Sequence, residues 1–562
     1  MTLSRQIGPG LRATAAGQRH QVLDGMVIDA ADSRRANPIR RRTRRTAPVN
    51  RVPDTLAPLT RAECSDYRET SLHADVVAFL DALRLQGHES LHVTEFGVTP
   101  QGRTLPLLVL SAARHFTPDA AQRAGLPVVL IQCGIHAGEV EGKEAALMLV
   151  RDLLHGRHGD LLHKVTVLVV PLFNADGNDR IDTNNRKLDL EKLSGQIGPT
   201  SGVGTRENAA GINLNRDFMR QEGAEMRLLQ SRVCHPWNPH LVIDCHTTNG
   251  SVHRFAMTVD VPHVVDSGRR EPIDYMRDRM VPQVRASVKA RDGLDSFWYG
   301  NFLRDEGGDG TGWITYPHHP RFGGNYRGLT NRLDLLLETY AYLPFDERVR
   351  TTYTWLRESL LHVAAHGVEI LTLLQSCNAP PIQIAVRYRL EACPERAADI
   401  LTRNPYTLEG GPIQVTVPHI AHFVGVDKVA RPLAYAVPPP VAAHLARHGL
   451  IVDTPASPMD LTAEIGRVRG SNVTPGRTIL ESAETRHLDV DYTTQRRELP
   501  SGWSLVRTDQ PRGAIAVYLC EATSDDGLLE CGLVGTAESG SEFPAWRIHR
   551  IEPIALSTSQ TR

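Results

Sequence analysis

The chain is predicted to be an α/β protein: a mixed, largely parallel sheet with helices on both faces, followed by β-rich domains. Two observations predict this. From Thr60 to Ser376, short apolar runs alternate with segments of helical spacing. Strands separated by helices imply parallel neighbours covered on both faces. After Cys377 the texture shifts to short β-rich runs punctuated by Pro380, Pro381, Pro412, Pro418 and Pro438-Pro-Pro440.

Taken in order, Leu72–Leu85 reads as a helix and Leu105–Ser111 as a strand. Pro127–Cys133 is continuously apolar and reads as a buried strand, followed by a helix over Val140–Leu154. Val165–Phe173 is a second buried strand, Glu222–Val233 a helix, and His240–Cys245 a further apolar strand. Leu333–Leu337 is a late strand, and Thr351–Leu374 is helical. Beyond them, Ile382–Tyr388, Ile413–Val417 and Gly513–Cys520 read as β-rich runs. The expected division is a disordered basic leader over 1–59, a catalytic domain over 60–376 and a β-rich region over 377–562. The leader's most basic stretch is Ile39-Arg-Arg-Arg-Thr-Arg-Arg45, with no apolar segment after it.

Composition narrows the function classes. A length of 562 residues implies two or three domains, and 41% apolar with 23% charged content is that of a globular protein. A formal net charge of −1 argues against a dedicated nucleic-acid partner or membrane surface. No apolar run approaches the roughly 20 residues needed to span a bilayer. Eight Cys without a CxxC pair require no disulfide framework. With no export signal visible, a cytoplasmic location is expected.

The most informative segment is Gly134-Ile-His-Ala-Gly-Glu139. It puts His136 and Glu139 three residues apart in a strand-to-helix turn, where they can point the same way. A nitrogen and an oxygen donor so disposed suit zinc, which accepts both at about 2.0–2.2 Å. A capping Glu beside a chance His is the ordinary alternative. The expected third ligand is His246, at the end of the apolar strand in Leu241-Val-Ile-Asp-Cys-His-Thr-Thr248. Alternation sends Asp244 and His246 to one face and Cys245 to the other. Three protein ligands leave a fourth position open, the mark of a catalytic zinc site, so one zinc per chain is expected.

Several motifs, in this order, resemble those of the zinc carboxypeptidase family (the funnelins). Thr99-Pro-Gln-Gly-Arg-Thr-Leu105 is similar to its Gly-Arg segment, His136-Ala-Gly-Glu139 to its paired ligand motif, and Asn174-Ala-Asp-Gly177 to its Asn-Pro-Asp-Gly turn. Gly211-Ile-Asn-Leu-Asn-Arg-Asp-Phe218 resembles its Asn-Arg substrate motif, and Leu335-Leu-Leu-Glu338 the strand bearing its catalytic glutamate. The resemblance implies roles. Glu338 would be the general base that deprotonates the water activated by zinc and returns the proton to the leaving amine. Arg206 would stabilise the oxyanion, and Asn215 with Arg216 would grip a substrate carboxylate. A phenol on the loop before the glutamate strand would complete the site. Tyr316, 22 residues before Glu338, and Tyr326, twelve before, are the candidates.

Three positions depart from the family pattern. Asn213 stands where relatives often carry an Asp that orients the first His ligand. Ala137 and Gly138 lie between the ligands, where many relatives have an arginine. Pro320-Arg-Phe-Gly-Gly-Asn-Tyr-Arg-Gly328 is unusually rich in Arg and Gly, in the region of the specificity pocket. His318-His319 reads as a polar loop, since adjacent histidines do not readily chelate together. Cys133 and Cys245 read as buried thiols, and His235 and His240 as structural.

The resemblance implies a zinc metallocarboxypeptidase that hydrolyses an amide next to a free C-terminal carboxylate. An N-acyl amino acid deacylase of the desuccinylase or aspartoacylase type would keep the site and change the substrate. A peptidoglycan stem peptide is a further substrate class. A catalytically silent binding protein is the alternative from another class, although it would have no need of a base opposite the metal.

Overall fold

Why the central strands are apolar throughout becomes plain from where they lie. In the computed structural model, which describes residues 57–303, 312–402, 413–474, 485–535 and 538–550, eight strands form one sheet. In chain order the strands are β1 (Leu91–Val98), β2 (Thr104–Leu110), β3 (Val128–Cys133), β4 (Thr166–Val170), β5 (Leu241–Thr247), β6 (Met257–Asp260), β7 (Ser296–Trp298), β8 (Asn301–Phe302), β9 (Trp313–Ile314) and β10 (Leu333–Thr339). The order across the sheet is β1-β2-β4-β3-β5-β10-β6-β7. The junctions β4–β3, β3–β5 and β5–β10 are parallel, whereas β1–β2, β2–β4 and β10–β6 are antiparallel. Every residue of β3, β4 and β5 is buried, as parallel strands covered on both faces require. Edge strand β1 is half-exposed and bulges between Glu95 and Gly97.

Helix Glu141–Leu154 packs on β3 and β5 and against the long helix Phe345–Ser376. Its approach is close: a Cβ on Gly142 would lie 2.5 Å from the Cβ of Cys245, so only glycine lets the helix seat on β5. Cys133 and Cys245 are buried beneath this contact. The helices over His73–Leu85 and Phe345–Ser376 cover the expected segments, the second with an additional N-terminal turn and a half. The helix expected from Glu222 begins at Ala224.

Two further sheets involve the later part of the chain: β11 (Gln383–Thr402), β12 (Ile413–Ala430), β13 (Ala434–Val437), β14 (Asp460–Thr474), β15 (Thr485–Glu498), β16 (Ser504–Arg507) and β17 (Trp546–Ile548). One sheet has the order β11-β12-β9-β8, the other β15-β14-β17-β13-β16. Since β8 and β9 precede Cys377, the sheet carrying the long β11–β12 pair is shared with the region that bears the ligand motifs.

One element is corrected. Gly513–Cys520, expected as β-rich, is an α-helix, and all its residues are buried. An apolar run of this length, buried all round, has no polar face to declare a period, so helix and strand cannot be told apart from sequence. The basic leader expected over 1–59 lies outside the described residues except at 57–59.

Candidate active site

The His136–Glu139 turn is built by the backbone. Gly134 takes a left-handed φ of 67° directly after β3, and Glu139 N–H closes the turn on His136 O at 3.0 Å. Ala137 N–H donates to Thr205 O at 3.1 Å. Next along the sheet, β5 carries His246 at its carboxyl end, and β10 pairs Glu338 with His246 in parallel register. Ligands in open α/β sheets gather beyond such strand ends.

The three expected ligands converge. Nδ1 of His136 lies 3.1 Å from Oε1 of Glu139, and Nδ1 of His246 lies 2.9 Å from Oε2. The donor atoms of all three residues fall within 4.8 Å of one another. Each ring turns its other nitrogen outward: Nε2 of His136 meets Asn213 Oδ1 at 3.1 Å, and Nε2 of His246 meets Asp244 Oδ1 at 3.4 Å. Outward acceptors of this kind hold the Nε2 proton and leave Nδ1 as a lone pair toward the metal. Two imidazole nitrogens and a carboxylate, oriented from behind, are a fit for zinc. Asn213 supplies the neutral acceptor to His136 that the sequence indicated, and a carboxylate, Asp244, stands behind His246.

Electrostatics support the same arrangement. Burial lowers His136 to about 3, with Arg206 adding to the effect, so its imidazole is neutral. Burial opposes charge on Glu139, yet His136 and Arg186 hold its carboxyl well below the usual range. Arg186 was not foreseen. Its Nη1 donates to Glu139 Oε1 at 2.9 Å, its Nη2 to Thr248 O at 2.9 Å, and its Nε to Gln196 Oε1 at 2.7 Å. A Cβ on Gly138 would sit 3.0 Å from Arg186 Cδ and 2.8 Å from Gly204 O. The glycine between the ligands thus makes room for a guanidinium delivered from a distant loop. No motif surrounds Arg186; the one signal was the long stretch without apolar periodicity that carries it, since long loops are commonly functional.

A cleft of about 790 Å³ opens over these ligands. Asp334, Leu336 and Glu338 line it from alternate positions of β10, while Leu335 and Leu337 point into the core. Burial pushes the Glu338 carboxyl up to about 8, against the pull of His246 and with the help of Glu139. Arg206 reaches Nδ1 of His136 at 3.2 Å and Glu139 Oε1 at 3.5 Å, and is the more exposed of the expected residues.

Asn215 and Arg216 also line the cleft. Asn215 Nδ2 lies 3.4 Å from His246 Nε2, and Asn215 Oδ1 accepts from Gly323 N–H at 3.0 Å. The Arg216 guanidinium stacks 3.8 Å from the Phe322 ring centroid and donates to Asn215 O at 2.7 Å. Among the described residues it has no carboxylate partner, and burial, with Arg206 and Arg321 nearby, lowers it to about 9.

Of the two expected phenols, Tyr316 lines the cleft beside Tyr299 and Phe322. Tyr326 does not: it packs in the core with its hydroxyl 2.8 Å from His448 Nδ1. Tyr299 carried no motif and was not foreseen. Other motif residues are structural. Asp176 accepts from Thr99 Oγ1 at 2.7 Å and Arg103 Nη1 at 2.8 Å, so the Gly-Arg segment and the Asn-Ala-Asp-Gly turn hold each other. His240 Nδ1 accepts from Val128 N–H at 2.9 Å. His318 and His319 do occupy a loop, but a buried one.

Comparison with known proteins shows what this chain is similar to. Residues 76–238 match the sequence model of the family described as zinc carboxypeptidase. Carboxypeptidase 2 of Trichophyton tonsurans is 22% identical over 80% of this chain and 81% of its own length, and that of Trichophyton rubrum 21% identical over the same shares. Among solved structures, a metallo-carboxypeptidase from Burkholderia cenocepacia aligns over 52% of this chain and 69% of its own at 18% identity, with a TM-score of 0.37. Carboxypeptidase A from Helicoverpa armigera aligns over 53% and 74% at 15% identity, with a TM-score of 0.36. Residues 76–238 are thus similar to the zinc carboxypeptidase family, and the His136–Glu139–His246 cluster, within and beyond them, can hold one metal ion.

Proposed function

We propose that the cleft hydrolyses the amide bond next to the free C-terminal carboxylate of a peptide. The observation that carries this reading is Arg216. A half-buried guanidinium with no acidic partner among the described residues, its charge disfavoured where it sits, is costly unless an anion joins it. Its planar fork suits a carboxylate held in two hydrogen bonds. A volume of about 790 Å³ stands high in the usual range of about 300–1,000 Å³, which favours a peptide over one acylated amino acid.

In this reading, Arg216 and Asn215 bind the terminal carboxylate and bring the scissile carbonyl between the ligand cluster and Glu338. Zinc, when bound at His136, Glu139 and His246, supplies Lewis acidity toward the substrate carbonyl and a water. Glu338 takes the proton from the attacking water and passes it to the leaving amine nitrogen. Arg206 faces the carbonyl oxygen and stabilises the charge that develops there. Tyr316 contributes its hydroxyl from the cleft wall. Arg186 keeps Glu139 ionised and oriented. Residues 60–376 form the catalytic region in this scheme, with 377–562 appended to it.

The test is a panel of N-blocked dipeptides, their C-terminal amides and N-acyl amino acids, assayed on zinc-loaded full-length chain. Dipeptides with a free carboxylate should be cleaved at least tenfold faster, as kcat/KM, than the amides. Faster turnover of the N-acyl amino acids would replace this reading by the deacylase one. No turnover of any of them would favour the silent binding protein.

A further inference from the structure

Two aspartates from the last part of the chain bond the segment just before the cleft wall at Phe322–Gly324. Asp525 and Asp526 follow the helix Gly513–Cys520, and Asp525 N–H donates to Val386 O at 3.2 Å, which ties their turn to β11. The Asp526 carboxylate accepts from Arg321 twice, from its backbone N–H at 2.6 Å and from Nε at 2.9 Å. Arg321 Nη2 also donates to Asp525 O at 3.2 Å. Oδ2 of Asp525 meets His318 Nε2 at 2.7 Å, and Oδ1 accepts from the Tyr518 hydroxyl at 2.7 Å. Both aspartates are buried.

His318, His319 and Asp525 bring their donor atoms within 4.8 Å, the same grouping as in the zinc cluster. The arrangement differs from a metal site, however. The two rings lie 4.4 Å apart and only 30° from parallel, so their lone pairs do not aim at one point. The cluster is a hydrogen-bonded clamp.

What the clamp holds is the segment that shapes the carboxylate grip. Arg321 is followed by Phe322, whose face carries the Arg216 guanidinium, and by Gly323, whose N–H engages Asn215. Among the described residues Arg216 has no acidic partner, so its position depends on that ring and on its hydrogen bond to Asn215 O. We propose that Asp525 and Asp526 are positioning residues for recognition of the substrate carboxylate: by holding His318 and Arg321 they set Phe322 and Gly323, and through these Arg216 and Asn215. The C-terminal region therefore helps to build the cleft. This inference rests on the carboxylate-gripping role given to Arg216 above.

The test uses Asp526→Asn and Asp526→Glu in the zinc-loaded full-length chain. For an N-blocked dipeptide, D526N should raise KM at least tenfold with kcat within threefold of the parent, at an unchanged one zinc per chain, and D526E should recover most of the loss. Binding of N-acetylphenylalanine and its C-terminal amide, measured by calorimetry, gives a readout without turnover. The parent should prefer the acid at least tenfold, and D526N should cut that preference below threefold. If D526N does not fold, Arg321→Lys replaces it with the same expectations. An unchanged KM and acid preference in the variant overturns this inference alone. A parent with no acid preference overturns the role of Arg216, and this inference with it. A second metal per chain, lost in His319→Ala, would also refute the clamp.

Discussion

Replacing Glu338 by Gln is the sharpest probe of the chemistry. The substitution keeps the volume and the hydrogen-bonding oxygen but removes the ability to accept and return a proton. Glu338 lines the cleft on the strand next to His246 and lies outside the ligand cluster, so the zinc site should survive. General acid–base groups contribute about 10²–10⁴ in rate. At about 1.36 kcal/mol per tenfold, that is roughly 3–5 kcal/mol of barrier. The assay is steady-state hydrolysis of an N-blocked dipeptide, with zinc counted by atomic emission on the same preparation. We expect kcat to fall at least a thousandfold with one zinc retained. A fall of less than tenfold at full zinc occupancy would remove Glu338 from proton transfer, and a fall accompanied by zinc loss would make it a ligand.

Three more outcomes follow from the geometry. In metal-free protein, Glu338 has a raised carboxyl value: the folded state keeps its proton while the unfolded chain has released it, so stability is lost as pH rises from about 4.5 to about 8. Apo Glu338→Gln should thus melt higher than the apo parent at pH 8 and match it at pH 4; equal melting at pH 8 would contradict the shift. His246→Ala removes one of three ligands and leaves Glu139 and Asp244 short of a partner. It should abolish zinc binding in equilibrium dialysis, and full occupancy would mean that the third ligand lies elsewhere. Arg186→Met should weaken zinc affinity about 10–100-fold, the usual effect of losing a residue that orients a ligand, measured by competition with a chromophoric chelator. Unchanged affinity would make Arg186 a loop anchor only.

The residues of the candidate site were legible because they sit at or just beyond strand ends. A buried parallel strand announces itself as a continuous apolar run, and a polar residue directly after one belongs to the rim where ligands bind. His136, Glu139, His246 and Glu338 all fall there. The elements that carry them, β3, β5 and β10, stand within a few residues of the expected spans. Arg216 was singled out by the resemblance of Gly211–Phe218 to the family's Asn-Arg motif, and it lines the cleft.

Tertiary structure alone decided the rest, because those contacts join segments with no common period. Arg186 meets Glu139 across 47 residues of chain. Asp526 meets Arg321 across 205. Tyr326 sits on the short helix Gly323–Leu329 and packs into the core, whereas Tyr316, in the segment before that helix, lines the cleft. Gly513–Cys520 became a helix because it is buried on every side, a condition that erases the amphipathic signal. Local pattern reports which face of an element is apolar; it does not report which distant loop delivers a charge to it.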